Sequence, residues 1–222
     1  MSILSRMGVP AFKAGGQPSI DFGAYRLELT GLVAQPLSLT WPEILALPYS
    51  VVNARLTSVS GWSVRADWGG VLWRDFLSSA PPLPKATHVT FVSVGGGYAT
   101  TTPLSDMDTP RVILAYNVAD EPLEPEYGGP LRLVIPNLWG YKSCKWLGKI
   151  ELTDQLRGGI LGGPWLPARG IHHRWRDPGC EQRNAQGAQR RRDPGFLKGP
   201  FGRDSASFAN AATGIMVSTL TS

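Results

Sequence analysis

Alternation of apolar and polar residues is clearest from Tyr25 to Val33, where Leu27 and Leu29 alternate with Arg26 and Glu28. Side chains on a strand point in turn to its two faces, so this pattern predicts a strand with one buried face. Further apolar runs rich in β-branched residues predict strands at residues 51–59, 89–94, 112–118, 131–135 and 146–152.

Helical signals are short and few. Thr40 can accept a hydrogen bond from the amide three residues on, and Glu43 can reach back to Thr40, so this capping box predicts a helix through Leu47. One or two further helical turns are expected at residues 71–77. The elements together predict a strand-rich α+β or mainly β domain that ends near Asp154.

The chain of 222 residues is long enough for one good core, and its composition divides it into three parts. Residues 1–22 are expected to be an irregular lead-in, residues 23–156 the folded domain, and residues 157–222 a basic, disordered tail. Apolar periodicity is lost in the tail, which is rich in Arg, Gly, Pro and Gln and therefore predicts no core of its own.

The net charge of +5 is confined to the tail. Residues 1–156 hold 12 Lys and Arg against 13 Asp and Glu, whereas residues 157–222 hold 10 against 4. No recognition motif accompanies this charge, which argues against specific binding of nucleic acid. Two cysteines, no apolar run of membrane-spanning length and no signal-peptide pattern predict a cytoplasmic protein without a membrane segment.

A strand and the loop that follows it concentrate groups that bind anions. The apolar strand at residues 131–135 carries Arg132, and the loop after it brings Lys142, Ser143 and Lys145 close together around Gly140. Cations, a hydroxyl and free amides in one place suit a phosphate. The alternative is a solvated loop whose lysines face water.

Two segments of the chain carry distinctive short motifs. The first contains Gly-Trp-Ser at residues 61–63 and Trp-Gly-Gly-Val at residues 68–71. The second contains Gly-Gly-Pro-Leu-Arg-Leu-Val-Ile-Pro at residues 128–136 and Gly-Tyr-Lys-Ser-Cys-Lys-Trp-Leu at residues 140–147. In this order the motifs resemble the sulfite-oxidase family of molybdopterin enzymes, including bacterial relatives related to the methionine sulfoxide reductase catalytic subunit. The resemblance runs from about Tyr25 to Asp154 and implies a sulfite-oxidase-type domain that binds molybdopterin.

The resemblance also implies a set of site residues. In the family, a cysteine before Gly-Trp-Ser binds molybdenum, and Ser58 stands at that position here. A hydroxyl is a poor substitute for a soft thiolate, so the resemblance predicts a metal centre of doubtful competence. Residues expected to bind the pterin are Arg132, Ser143, Cys144 and Lys145, with weaker correspondences at Tyr127 and Ser93.

The resemblance ends where the composition changes. Residues 160–167 read Ile-Leu-Gly-Gly-Pro-Trp-Leu-Pro. Codons for these residues, shifted by one base, can encode Tyr-Trp-Glu-Asp-Arg-Gly-Tyr, which resembles the segment that the family has next. This match predicts that the reading frame is lost from about residue 160.

Three functions follow as hypotheses. The first is an oxidoreductase that moves an oxygen atom to or from a small-molecule substrate and passes two electrons to an unknown partner. The second is a non-catalytic pterin-binding relic, which Ser58 favours. The third is a basic-tailed module that binds nucleic acid.

Overall fold

The computed structural model describes residues 2–11 and 16–156 of the chain. The strands in chain order are β1 (Arg26–Gly31), β2 (Leu37–Thr40), β3 (Tyr49–Thr57), β4 (Ser63–Leu72), β5 (His88–Ser93), β6 (Ala99–Pro103), β7 (Ile113–Val118), β8 (Glu121–Pro122), β9 (Arg132–Val134) and β10 (Leu147–Thr153). The α-helices are α1 (Ile3–Arg6), α2 (Trp41–Leu45), α3 (Trp73–Ser78) and α4 (Leu104–Met107). This arrangement confirms the strand-rich α+β class.

The strands form two sheets. The first has the order β2-β1-β10-β5-β6, in which β1 and β10 run parallel and the other neighbours are antiparallel. The second has the order β3-β4-β7-β8, and β9 also pairs with β7. The last strand of the domain therefore lies in the middle of the first sheet.

The second sheet has a hydrophobic core on each side of its strand β7. Along β7, Leu114 and Tyr116 belong to one hydrophobic core with the first sheet, whereas Ile113 and Ala115 belong to a second core. Because alternate residues of a strand point to opposite faces, the two cores lie on opposite sides of this sheet. Leu4 of α1 is 1% exposed and belongs to the second core.

Strand β4 was not expected, because the sequence predicted no strand at residues 63–72. The structure shows a continuous strand in which Gly69 and Gly70 allow close packing. A Cβ on Gly69 would lie 2.2 Å from the Tyr49 hydroxyl, and a Cβ on Gly70 would lie 2.0 Å from the Leu114 carbonyl oxygen. The glycines therefore make room for neighbouring strands rather than ending β4.

The predicted capping box is present at α2. The Glu43 amide donates to Thr40 Oγ1 at 3.4 Å, and the Thr40 amide donates to Glu43 Oε2 at 2.7 Å. These bonds satisfy backbone donors that the first turn of a helix leaves without partners. The helix ends two residues earlier than predicted, at Leu45.

The lead-in also differs from the expectation, since it begins with the four residues of α1 rather than with irregular chain. The predicted disorder of residues 157–222 and the predicted loss of frame lie outside the described residues. No helix in residues 2–11 and 16–156 is long and apolar enough to cross a membrane.

Candidate cofactor site

A cavity of about 340 Å³ lies beside the second core. Five of the residues singled out in the sequence line it, namely Ser58, Tyr127, Arg132, Ser143 and Lys145. Aromatic side chains make up much of the remaining wall, and they are Trp62, Tyr98, Tyr141 and Trp146. The described residues of the wall include two cations and no carboxylate. An anion with an aromatic body would fit such a surface.

Arg132 is positioned by β9 and by the backbone around it. Its guanidinium donates to the Tyr127 carbonyl oxygen at 2.8 Å and lies 5.4 Å from the Trp68 ring centre. The residue is 4% exposed, and burial lowers the pKa of Arg132 to about 10. A buried cation held by carbonyls and an aromatic face gains from a nearby anion, which offsets its lost hydration.

Lys145 reaches the same cavity from the loop before β10. Its Nζ donates to the Glu126 carbonyl oxygen at 3.0 Å and lies between the rings of Tyr127 and Trp146, at 5.9 Å and 5.4 Å. Gly128 allows this approach, because a Cβ there would lie 2.9 Å from Lys145 Cβ. The glycine has a φ of +108°, which L side chains rarely adopt.

Ser143 connects the loop to the strand that carries Arg132. Its Oγ accepts a hydrogen bond of 3.0 Å from the Ile135 amide. Gly140, in the same loop, packs against the end of β3, where a Cβ would lie 3.2 Å from the Thr57 carbonyl oxygen. The loop therefore joins the cationic part of the cavity to the segment that contains Ser58.

Ser58 directly follows β3 and is half-buried. Its amide donates to the Trp62 carbonyl oxygen at 2.9 Å, and its Oγ lies 2.7 Å from Ser60 Oγ. Ser60 also lines the cavity. The position thus presents a pair of hydroxyl groups bonded to each other, with no sulfur atom.

Two predicted residues lie behind the cavity wall. Cys144 is fully buried and does not line the cavity, and burial raises the pKa of its thiol to about 12. Ser93 is 6% exposed, and its Oγ accepts a hydrogen bond of 2.9 Å from the amide of Tyr98, which does line the cavity. Neither side chain is presented to a ligand in this cavity.

The sequence predicted that Lys142 lies with the other anion-binding groups of the loop, but in the structure it does not line the cavity. It is 3% exposed, and its Nζ donates to the Thr101 carbonyl oxygen at 2.7 Å. Burial lowers the pKa of Lys142 to about 8, while Asp106 acts in the opposite direction. Its side chain therefore fixes the loop to β6 instead of lining the cavity.

Sequence reasoning missed part of the wall. Trp62, Tyr141 and Trp146 are inside the quoted motifs, so their proximity to the predicted residues was a usable signal. Val9 and Pro10 also line the cavity, and they come from a segment with no recognisable pattern. Contacts of this kind depend on tertiary packing.

The residues of the cavity wall fit the phosphate and the pterin ring of molybdopterin, but they do not fit its metal. Arg132, Ser143 and Lys145 suit a phosphate group, and the aromatic wall suits a pterin ring. For the metal this part of the wall offers the hydroxyl oxygens of Ser58 and Ser60, and the one cysteine in the described part of the chain is buried elsewhere. Groups of three or more His, Cys, Asp or Glu that could hold a metal are absent from residues 2–11 and 16–156.

Fold and cavity together are typical of a strand-rich domain that takes an anionic, ring-containing ligand. The chain belongs to the oxidoreductase molybdopterin binding domain family, whose model matches residues 14–160. This membership confirms the family, the fold class and the molybdopterin cofactor expected from the sequence.

Individual relatives support the same assignment. The oxidoreductase YuiH of Bacillus subtilis is 34% identical over 72% of this chain and 85% of its own length. Sulfite oxidase of Arabidopsis thaliana is 34% identical over 66% of this chain, and the methionine-sulfoxide reductase catalytic subunit MsrP of Gluconobacter oxydans is 31% identical over 59%. The chain spans 47% of each of these two relatives, about half their length.

The fold also matches a solved structure. The sulfane dehydrogenase SoxCD from Paracoccus pantotrophus superposes with a TM-score of 0.58 and 24% sequence identity. The match covers 63% of this chain and 41% of that one. It supports the sulfite-oxidase-type fold.

Proposed function

We propose that the cavity is the molybdopterin site, in which Arg132, Ser143 and Lys145 hold the phosphate of the cofactor. The observation that carries this proposal is the meeting of two cations and a hydroxyl in one cavity with aromatic walls and no carboxylate among its described residues. Tyr127 adds to the wall, whereas Ser93 and Cys144 support it from behind, Ser93 through Tyr98 and Cys144 within the loop.

The proposed class of activity is transfer of an oxygen atom to or from a small-molecule substrate, with two electrons passed to a separate partner. A molybdenum cofactor supplies this chemistry when bound, and the protein supplies binding, orientation and electrostatics. We place Ser58 where the protein ligand of the metal belongs. Since its hydroxyl is a weak ligand unless deprotonated, we expect negligible oxygen-atom transfer by this chain.

A second candidate function is pterin binding without turnover. It is favoured by the Ser58 hydroxyl, which is bonded to Ser60, and by Cys144, which is buried outside the cavity wall. The cytoplasmic location and the loss of frame from about residue 160 stay predictions. The described residues provide no observation that favours the nucleic-acid alternative.

The test exchanges oxygen for sulfur at two neighbouring positions. Ser58→Cys is compared with Ser60→Cys, which places a thiol two residues away in the same cavity wall. Pterin, molybdenum and the visible absorption spectrum are measured for both variants and for the parent protein. We expect pterin in all three proteins and a new thiolate-to-metal absorption with increased molybdenum retention in Ser58→Cys alone.

The outcomes separate the two parts of the proposal. Absence of pterin from all three proteins contradicts the cofactor site. Equal spectra for the two cysteine variants contradict the ligand position of Ser58. Increased turnover in Ser58→Cys supports an oxidoreductase that lacks only its thiolate, whereas pterin and metal without turnover support the non-catalytic alternative.

A further inference from the structure

The first described residues of the chain form a short segment that we name the N-terminal strap, residues 2–10. Ser2 caps α1, since its Oγ accepts a hydrogen bond of 3.0 Å from the Ser5 amide. A helix of four residues is too short to be stable alone, because nucleation costs more than so few bonds return. The order of the strap therefore depends on contacts with the domain.

A Schellman motif ends α1 and directs the chain toward the cavity. The Gly8 amide donates to the Ser5 carbonyl oxygen and the Val9 amide donates to the Leu4 carbonyl oxygen, both at 3.0 Å. Gly8 has a φ of +74°, as this motif requires at its turning residue. Leu4 belongs to the second core and Val9 packs against it, so both apolar side chains of the motif face the domain.

A specific hydrogen bond ties the strap to the domain. The Tyr127 hydroxyl donates to the Val9 carbonyl oxygen at 3.0 Å, and Tyr127 is 3% exposed. The carbonyl oxygen of Tyr127 itself accepts the 2.8 Å hydrogen bond from the Arg132 guanidinium. Tyr127 thus connects the strap directly to the buried guanidinium of the cavity.

The strap is also part of the cavity surface, because Val9 and Pro10 line it. The family model begins at residue 14, so this surface lies outside the part of the chain that the family model describes. We infer that the N-terminal strap forms an additional wall of the cofactor site and that Tyr127 is the positioning residue that holds it there.

This inference rests on the proposed function, since it takes the cavity to be the cofactor site. On this inference, the apolar wall at Val9 and Pro10 shields the bound pterin from water and slows its release. Weakening the strap should therefore accelerate cofactor loss without removing any charged group that contacts the phosphate. Tyr127 acts here through the strap, and its phenol ring remains part of the wall.

The experiment measures the rate at which pterin leaves the purified full-length protein, followed by the fluorescence of released pterin after oxidation. Tyr127→Phe removes only the hydroxyl, and Gly8→Ala strains the turn where no heavy atom crowds a Cβ. Gly16→Ala is the matched control, since Gly16 has a φ of +88° and equally open surroundings outside the strap. We expect release about two- to tenfold faster in the first two variants and unchanged in the control.

A double variant separates a positioning residue from a direct cofactor ligand. In a protein that lacks residues 2–10, Tyr127→Phe should accelerate release no further, because its partner at Val9 is gone. A full effect of Tyr127→Phe in the absence of the strap would overturn the inference. Unchanged release in both Tyr127→Phe and Gly8→Ala would also overturn it. This second result decides the question if the protein without residues 2–10 does not fold.

A second readout keeps the inference testable if the proposed function fails. When the purified protein carries no pterin, hydrogen exchange is measured for peptides that cover residues 2–10, where the amides of Met7, Gly8 and Val9 are hydrogen-bonded. Faster exchange in Tyr127→Phe than in Gly16→Ala supports the strap as a wall of the cavity. Equal exchange in these two variants overturns it, independently of whether the cavity holds molybdopterin.

Discussion

Replacement of Arg132 by Met tests whether this buried cation serves binding rather than folding. Burial lowers the pKa of Arg132 to about 10, and the residue is 4% exposed. Such a shift corresponds to a cost of about 3 kcal/mol for keeping the group charged in the cofactor-free protein. Met removes this cost and keeps most of the side-chain volume.

The substitution also removes the hydrogen bonds of the guanidinium, which donates to the carbonyl oxygens of Tyr127, Leu133 and Ser143 at 2.8, 3.4 and 3.5 Å. The two longer bonds are weak at these distances. The Tyr127 carbonyl oxygen would lose its 2.8 Å donor, which costs roughly 1–3 kcal/mol for a buried acceptor. The two effects nearly cancel, so we expect the cofactor-free variant to unfold within about 2 kcal/mol of the parent protein. Binding should fall much further, because about 1.5–3 kcal/mol of charge-assisted bonding to a phosphate corresponds to a loss of roughly 10- to 150-fold.

The assay has two parts, urea unfolding of the cofactor-free protein and pterin content after purification. Arg74→Met is the matched control, because it makes the same substitution at an exposed arginine outside the cavity wall. Arg132→Met should lose pterin while its free energy of unfolding stays within about 2 kcal/mol of the parent protein, whereas the control should keep both properties. Retention of pterin, or a loss of more than about 4 kcal/mol of stability, would refute the reasoning.

Two further predictions concern the loop around the cavity. Gly128→Ala should lower stability by about 1–3 kcal/mol in urea unfolding and reduce pterin content, since the new Cβ would crowd Lys145 at a φ of +108°. Gly95→Ala is its control, at a φ of +75° with no heavy atom within 4 Å, and equal effects of the two would exclude crowding as the cause. Burial lowers the pKa of Lys142 from 10.5 to about 8. At pH values between these two, the unfolded chain therefore binds more protons than the folded protein. The contribution of Lys142 to the free energy of unfolding should therefore rise with pH from about 8 toward 10.5, whereas the raised pKa of Cys144 acts in the opposite direction above about 9. The parent protein should thus gain stability relative to Lys142→Met over this pH range, as measured by urea unfolding.

Local signals explain which elements could be predicted from the sequence. Thr40 and Glu43 predicted α2 because a capping box uses residues three apart, and the alternation at Leu27 and Leu29 predicted β1 for a similar reason. Strand β6 was missed because its threonines count as polar. Thr101 is 1% exposed, and its Oγ1 lies 2.8 Å from the hydroxyl of Thr90 on the neighbouring strand. The burial of Thr101 depends on the neighbouring strand, and the residue pattern of its own segment carries no information about that strand.

Local sequence patterns also predict only part of the cavity, because some of its contacts come from distant segments. Arg132, Ser143 and Lys145 are close in sequence and lie on one strand and the following loop, so their meeting could be predicted. The direction of Lys142 could not, because its hydrogen-bond acceptor at Thr101 lies on β6. Val9 and Pro10 reach the cavity through a turn whose partner is Tyr127, more than a hundred residues away.

The parallel pairing of β1 with β10 has a consequence for synthesis of the chain. The Tyr25 hydroxyl donates to the Leu147 carbonyl oxygen across 122 positions, and β10 separates β1 from β5 in the sheet. A growing chain therefore leaves both strands with an open edge until residues 147–153 leave the ribosome, a period in which neighbouring nascent chains can pair with them. A premature stop before residue 147 would leave these edges open permanently, whereas a stop after residue 153 would spare the strand that closes the sheet.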